Sequence, residues 1–260
     1  MNVAGNLKKD RNSGDQEVVV RVRDLYLSFG NNKVLQGFNF ELHRGENLVV
    51  VGKSGSGKSV LIKCLVGLLQ PDSGLVEVLG EDVLKLNQEE LDHLRVKMGF
   101  LFQGSALYDS MTVRENLEFP LRRHWIDKEK DEVEKLITEA LSNVDLEQAH
   151  NLMPAELSGG MRKRVGLART LILKPEIMLY DEPTTGLDPI TSKGISRLIL
   201  DIRQKLNTSS IIITHDLQCA RIVADRVLVL ADGICHASGT FEELLKSEDP
   251  VVKEFFEDLR

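Results

Sequence analysis

The stretch of sequence that decides the fold class is Gly52-Lys53-Ser54-Gly55-Ser56-Gly57-Lys58-Ser59. It fills every fixed position of the pattern GxxxxGK followed by Ser or Thr, which describes a phosphate-binding loop. The loop follows a short apolar run at residues 48–51 and precedes an apolar helical pattern that begins at Val60. Because a strand, a glycine-rich loop and a helix in this order are the context that the motif needs, the sequence predicts a nucleotide-binding site here.

Each part of this loop has an expected role in binding a nucleotide. The glycines let the backbone curl so that its N–H groups point at phosphate oxygens, and the helix N-terminus adds a partial positive charge. Lys58 brings a full positive charge to the β- and γ-phosphates, and Ser59 offers a hydroxyl to Mg²⁺. The residues that we expect to contact the nucleotide are Gly52, Lys53, Ser54, Gly55, Ser56, Gly57, Lys58, Ser59 and Val60.

A pair of carboxylates follows another apolar run far downstream. Residues 177–180 have the pattern of a buried strand that ends in Asp181-Glu182. The carboxyl end of a strand is where α/β sheets place their ligands. We expect Asp181 to hold Mg²⁺ and Glu182 to act as general base on the attacking water. Together with the loop, these acids predict hydrolysis of a nucleoside triphosphate.

The order of the apolar patterns predicts an α/β fold with a mainly parallel sheet. Strand patterns occupy residues 18–27, 34–42, 48–51, 177–180, 211–214 and 227–230. Apolar residues within 133–144 repeat at helical spacing, with Asp127 as the expected helix cap. Asp232-Gly233 is a hairpin signal after the last of these strands.

These patterns divide the chain into three parts. Residues 1–16 are predicted to form a flexible leader, residues 17–240 a nucleotide-binding domain and residues 241–260 a helical, partly exposed tail. Within the domain, the first strands predict an antiparallel β subdomain. The helical patterns predict an inserted α-helical subdomain at about residues 104–170, between two halves of the core.

Composition excludes several classes of protein. The chain has 260 residues, 42% of them hydrophobic and 28% charged, which is typical of a globular protein. A formal net charge of −7 argues against a general nucleic-acid binder. The sequence has no run of 18 apolar residues, so we expect no spanning helix. Residues 1–16 lack the apolar core of a secretory signal. Cys64, Cys219 and Cys235 lie far apart, which disfavours both a disulfide framework and a zinc site.

A third motif resembles the signature of a known family. Leu157-Ser158-Gly159-Gly160-Met161 resembles the LSGGQ signature of the ABC ATPases, with Met161 in place of Gln. Ser158 and two glycines at a helix start would form a second anion-binding nest. The resemblance implies that this nest binds the γ-phosphate of an ATP held by the opposite protomer. It also implies an ABC ATPase fold on a P-loop NTPase core, and a homodimer that sandwiches two ATP molecules head-to-tail.

The same resemblance assigns roles to four further residues. Phe29 matches the aromatic residue that stacks on adenine. Gln103 matches the glutamine that contacts Mg²⁺ and senses a membrane partner. Asp188 matches a loop that crosses the dimer interface, and His215 matches the switch histidine at the γ-phosphate. The implied catalytic residues are therefore Glu182, His215, Gln103 and Asp188, and the implied Mg²⁺ ligands are Ser59, Gln103 and Asp181.

Four longer stretches resemble the MlaF-type ATPases, which serve MCE-linked phospholipid transporters. They are residues 101–121, 161–169, 181–190 and 242–255. The resemblance implies an ATPase that powers phospholipid transport for outer-membrane lipid homeostasis. The implied partners are a separate MlaE-like permease, an MlaD-like MCE-domain protein and an MlaB-like STAS-domain protein. The implied location is cytoplasmic, peripheral on the inner membrane.

Two alternative functions remain open from the sequence. The first is the same ATPase on another importer, for an amino acid, an ion or a small solute. The second is a non-transport ABC protein that acts in translation or DNA repair. A single cassette and an acidic pI disfavour the second alternative, while residues 103–121 and the Met161 variant favour lipid over other cargo.

The segment after Gln103 is dense in apolar residues. We predict that Leu117 and Phe119 pack inside the helical insert. For Leu107, Tyr108 and Met111, interior packing and a surface groove that receives a permease helix are both open.

Overall fold

The structure is a computed structural model that describes residues 17–124 and 129–257. Its strands, numbered in chain order, are β1 Val18–Phe29, β2 Asn32–His43, β3 Asn47–Gly52, β4 Ser73–Val78, β5 Glu81–Asp82, β6 Met98–Leu101, β7 Ile177–Asp181, β8 Ser209–Ile213, β9 Arg226–Ala231 and β10 Ile234–Gly239. Its helices are α1 Lys58–Leu65, α2 Gln88–Val96, α3 Val113–Arg123, α4 Lys130–Ser142, α5 Gly159–Leu171, α6 Pro189–Leu206, α7 Leu217–Val223, α8 Phe241–Leu245 and α9 Pro250–Phe256.

The strands form two sheets. The first is antiparallel, in the order β2-β1-β4-β5, as expected for the N-terminal subdomain. The second has the order β10-β9-β3-β8-β7-β6, in which every pairing is parallel except that of β9 with β10. Asp232 and Gly233, with φ of 50° and 74°, form the predicted hairpin turn between these two strands.

The central sheet is covered on both faces. All six residues of β3 are buried, and successive side chains of a strand point to opposite faces. Val49 and Val51 accordingly join the hydrophobic cluster that contains the helices of the insert and the tail. Leu48 and Val50 join the cluster that contains α1 and the antiparallel sheet. This arrangement explains why the β3 run reads as continuously apolar.

Two features of the sequence define the helical insert. Thr112 and Glu115 form a capping box at the start of α3. The apolar stripe at residues 133–144 forms α4 and the turn after it, with Ile137 and Leu141 buried. Asp127, the expected cap of this helix, lies outside the described residues. The N-cap position belongs to Glu129, whose side chain makes no capping hydrogen bond.

Within the described residues, the C-terminal segment forms α8 and α9, and it packs onto the core. Phe241 of α8 and Phe256 of α9 meet edge to face, with ring centroids 5.3 Å apart. Both rings belong to the cluster that includes α6 and α7, so the apolar side of this tail is buried. The predicted leader, residues 1–16, lies outside the described residues. Among the helices in the described ranges, none has the length and apolar character needed to cross a membrane.

Candidate functional site

The phosphate-binding loop connects β3 to α1. Gly57 occupies the N-cap position of α1 with φ of 102°, a conformation that strongly favours glycine. A Cβ atom at Gly57 would also lie 2.7 Å from Cγ1 of Val34. The loop therefore depends on glycine at this position both for its backbone conformation and for its close approach to β2.

The ammonium of Lys58 lies inside this loop. Its Nζ donates to the carbonyl oxygens of Gly52, at 2.8 Å, and Lys53, at 3.0 Å. Burial lowers the pKa of Lys58, and the nearby carboxylates of Glu182 and Asp181 oppose that shift. The backbone thus holds a positive charge at the point where the loop curls.

Ser59 and Asp181 bring two oxygen ligands together. The Ser59 hydroxyl donates to Oδ1 of Asp181 at 3.1 Å. Burial raises the pKa of the Asp181 carboxyl, and the Ser59 hydrogen bond partly offsets the shift. Within the described residues no group of three His, Cys, Asp or Glu side chains could hold a metal. A hydroxyl and one carboxylate fit Mg²⁺, because this ion commonly takes few protein ligands and completes its shell with water and substrate phosphates.

Three hydrogen-bond donors and the ring of His215 surround the carboxylate of Glu182. Its Oε2 lies 2.8 Å from Nδ1 of His215 and accepts from the His215 backbone N–H at 3.3 Å. The hydroxyls of Thr185 and Thr214 donate to the same oxygen at 3.3 and 3.4 Å. These residues meet because β7 and β8 are parallel neighbours, which places their carboxyl ends at one edge of the sheet.

A cavity of about 330 Å³ joins these groups. Its lining residues are Val34, Ser54, Gly55, Gly57, Lys58, Ser59, Val60, Gln103, Glu182 and His215. The structure therefore brings most of the predicted loop together with three of the predicted catalytic residues. Phe29 does not line this cavity; its side chain is exposed at the end of β1.

The predicted signature residues lie elsewhere. Ser158 is the N-cap of α5, and its hydroxyl accepts from the Met161 N–H at 3.2 Å. Cβ atoms at Gly159 and Gly160 would face Leu187 and Thr191, at 3.5 and 2.6 Å. These two neighbours flank Asp188, which is the N-cap of α6. None of the five signature residues lines the cavity that Lys58, Glu182 and His215 share.

The comparison with known families agrees with this geometry. A family described as "ABC transporter" matches residues 35–185, which is more than half of the chain. The chain belongs to the ABC transporter family. It is an ATP-binding subunit whose reaction is the hydrolysis of ATP, coupled to transport.

Curated relatives match nearly the whole chain but carry different names. A "probable ribonucleotide transport ATP-binding protein mkl" of Mycobacterium leprae is 40% identical over 94% of this chain and 70% of its own length. The "intermembrane phospholipid transport system ATP-binding protein MlaF" of Haemophilus influenzae is 35% identical over 91% of this chain and 89% of its own. The "methionine import ATP-binding protein MetN" of Rhizobium johnstonii is 41% identical over 84% and 59%.

A solved structure supports the fold. It is a dimeric ATP-binding cassette in a post-hydrolysis state, bound to ADP and Pi. It is 30% identical in sequence, with a TM-score of 0.78 over 85% of this chain and 98% of its own. The predicted P-loop core, with its antiparallel subdomain and helical insert, is therefore confirmed as an ABC ATPase fold.

A groove of about 340 Å³ lies beside β6, α3 and α5. The rings of Tyr108 and Phe119 line it, with centroids 4.7 Å apart. We expected Phe119 to pack inside the insert; its ring is partly buried and contacts Tyr108 in the wall of the groove. Leu117 is fully buried, as expected. Leu107 packs partly buried against the core, and neither it nor the half-buried Met111 lines the groove.

Two polar side chains of this region are buried, which the sequence patterns did not predict. Lys163 stands in the basic run after the signature, yet it is only 5% exposed. Asn116 is fully buried in α3, where its amide bonds the backbone of Tyr108, Met111 and Thr112. A basic run typically reads as a solvated surface, and only the helical phase of Lys163, shared with buried Gly166, could have signalled its burial.

Proposed function

We propose that this chain hydrolyses ATP at the junction of two protomers and so powers phospholipid transport through a separate membrane permease. The observation that carries the proposal is the split between the two phosphate-binding elements. The loop, Gln103, Glu182 and His215 share one cavity, while the nest at Ser158 opens elsewhere. A head-to-tail dimer brings the nest of one chain to the cavity of the other.

Within the cavity, each group has a distinct proposed role. Lys58 and the loop amides bind the β- and γ-phosphates. Ser59, Asp181 and Gln103 would hold Mg²⁺, which neutralises charge on the phosphates. Glu182 orients and deprotonates the attacking water as general base.

Two further side chains complete the proposed site, and a third, Phe29, is proposed to contact adenine. His215, paired with Glu182, contacts the γ-phosphate. Asp188 crosses the dimer interface from its position beside the signature glycines. We retain the adenine contact of Phe29 as a prediction, because its exposed ring leaves room for a base.

The groove is the proposed docking site for a permease helix. Tyr108 is 43% exposed, and its ring contacts that of Phe119 at an interplanar angle of 53°, which gives the groove an aromatic floor suited to an amphipathic helix. Arg169 lies 5.8 Å from the centre of the Tyr108 ring. Because Gln103 stands five residues before Tyr108, occupancy of the groove would be communicated to the nucleotide cavity.

The docking proposal is tested with Tyr108→Glu. We expect this change to weaken co-purification of the permease and to leave ATP affinity of the isolated chain unchanged. Leu107→Glu would instead place its charge against the core and should destabilise the chain as well. Wild-type recovery of the permease with Tyr108→Glu would show that the groove is not the docking surface.

The cargo separates the two candidate functions. The phospholipid proposal rests on the likeness to MlaF over most of both chains. The alternative, import of an amino acid, an ion or another small solute, is favoured by a similar identity to MetN. In the first case we expect an MlaE-like permease, an MCE-domain protein and a STAS-domain protein, with this chain on the cytoplasmic face of the inner membrane.

Purification from membranes through a tag on this chain tests the cargo. The expected result is co-purification of the permease and the MCE-domain protein, with bound phospholipid identified by mass spectrometry. Recovery of a permease together with a solute-binding protein, and without lipid above the level of a Lys58→Ala control, would favour the alternative importer.

A further inference from the structure

The buried ammonium of Lys163 lies between two segments of the nucleotide cavity. Lys163 is on α5, two residues after the signature motif. Its Nζ donates a hydrogen bond to the backbone carbonyl of Gln103 and lies 3.4 Å from the backbone carbonyl of Glu182. One side chain thus contacts the main chain of both residues and connects them to the helix that carries the signature.

Burial of the Lys163 ammonium costs free energy, so the side chain does more than fill space in the core. The Lys163 residue is only 5% exposed, and the loss of hydration on burial lowers the pKa of its ammonium. The carboxylates of Asp181 and Glu182 attract it and oppose the shift. An apolar residue of the same size would fill the space without this cost, but it would remove the donor to the Gln103 carbonyl and leave the Glu182 carbonyl with only the Thr185 N–H, at 3.3 Å.

The face of α5 that carries Lys163 also contacts Ser105 and Ala106, which follow Gln103 in the chain. Residues three apart on a helix share a face, and Gly166 and Arg169 follow Lys163 at this spacing. A Cβ atom at Gly166 would lie 3.0 Å from side-chain atoms of Leu101 and Ser105, so the helix backbone touches this segment. Arg169 donates to the carbonyls of Ala106, at 2.6 Å, and Ser105, at 3.2 Å.

The two residues that α5 contacts here have an unfavourable backbone conformation. Ser105 and Ala106 have φ of 62° and 49°, in the left-handed region that side chains other than glycine rarely adopt. Such a conformation persists when surrounding contacts hold it in place. The bonds from Arg169 and Lys163 supply those contacts, so the position of α5 decides where Gln103 stands.

We propose that Lys163 is a positioning residue that fixes the Gln103 and Glu182 backbones against the signature helix. Hydrolysis in one cavity then depends on the placement of the helix whose N-terminus reaches the partner's nucleotide. The two sites of the dimer are linked within each chain through this ammonium. The inference rests on the proposed roles of Glu182 and Gln103.

The test compares Lys163→Met and Lys163→Gln in the complex purified with its permease. Methionine matches the length and volume of lysine and removes the donor. We expect kcat to fall about tenfold or more while KM for ATP stays within about twofold, because misplacement acts on the chemical step. Glutamine is one bond shorter and can still donate to Gln103, so its kcat should fall between those of methionine and the wild type.

Controls separate this inference from the proposed function. Lys135→Met removes a lysine charge from the exposed side of α4 and should keep wild-type kcat. Glu182→Gln is measured in parallel: if it hydrolyses ATP normally, the proposed base is wrong, whatever Lys163 does.

The outcomes for Lys163 itself are distinct. If Glu182→Gln is inactive and Lys163→Met retains kcat within twofold, or raises KM as much as it lowers kcat, the positioning role is overturned. If thermal unfolding shows that Lys163→Met is not folded, the kcat and KM of Lys163→Gln alone test the positioning role. A reduced kcat at unchanged KM supports the inference, and a wild-type kcat overturns it.

Discussion

Nδ1 of His215 lies 2.8 Å from Oε2 of Glu182, although 33 positions separate the two residues in sequence. The pair exists because β7 and β8 run in parallel and end at the same edge of the sheet. The Glu182 side chain is only 12% exposed, while that of His215 is 65% exposed. The carboxylate is therefore held in place, and the imidazole beside it remains accessible from the cavity.

Lys58→Ala should abolish hydrolysis and weaken ATP binding. The change removes the positive charge that the loop carbonyls hold at the transferring phosphate, so we expect turnover to fall at least about a hundredfold. The measurement is ATPase activity of the assembled complex, with ATP affinity determined separately. Lys174→Ala, which loses only an exposed ion pair with Glu139, serves as the matched control. Wild-type turnover by Lys58→Ala would refute the loop assignment.

Glu182→Gln should bind Mg-ATP normally and hydrolyse it about a hundredfold more slowly, or worse. The amide keeps the shape of the side chain but cannot accept a proton from water. Unhydrolysed ATP should then hold two protomers together, and size-exclusion chromatography with ATP detects that dimer. Glu139→Gln, on the exposed side of α4, is the control. A variant that stays monomeric and turns over normally would contradict the assignment of Glu182.

Mixing two inactive variants tests the head-to-tail arrangement. Ser158→Arg blocks the nest that would receive the partner's phosphate, and Lys58→Ala disables the loop. In a mixed dimer, one site carries both defects and the other carries neither. We expect the mixture to recover hydrolysis that each variant lacks alone. If the mixture shows no more activity than the separate variants, the two elements act within a single chain and the sandwich is wrong.

Asn116→Leu should lower the stability of the chain. Leucine is close in size to asparagine but removes the side-chain partner of the Tyr108 N–H and of the Tyr108, Met111 and Thr112 carbonyls. The Tyr108 and Thr112 carbonyls keep a backbone donor, so the groups that lose a partner outright are the Tyr108 N–H and the Met111 carbonyl. Each buried group left unpartnered costs about 1–3 kcal/mol, so we expect a loss of at least about 2 kcal/mol in the free energy of unfolding. Urea unfolding measures it, with the exposed amide variant Gln204→Leu as control. Equal midpoints for the two variants would contradict the structural role of Asn116.

The orientation of the side chains at the groove depends on tertiary packing. The apolar density around residues 107–119 was visible in the sequence, but which of these side chains face outward was not. Phe119 is partly buried and contacts Tyr108 in the wall of the groove, whereas Leu117 of the same helix is fully buried. Their two-residue spacing puts them on different sides of α3. Which side of α3 is buried depends on how this helix packs on α5. Residues that are neighbours in sequence do not determine that packing.

The sequence alone determined the family, the phosphate-binding loop, the acids after β7 and the helix start at Ser158. These features depend on neighbours within a few residues, because backbone curling, capping and a strand end are local properties. Only the tertiary structure decided that Lys163 is buried against Gln103 and Glu182, and that His215 pairs with Glu182. Such contacts join segments that are distant in the chain, and they form only where the packing of helices and parallel strands brings those segments together.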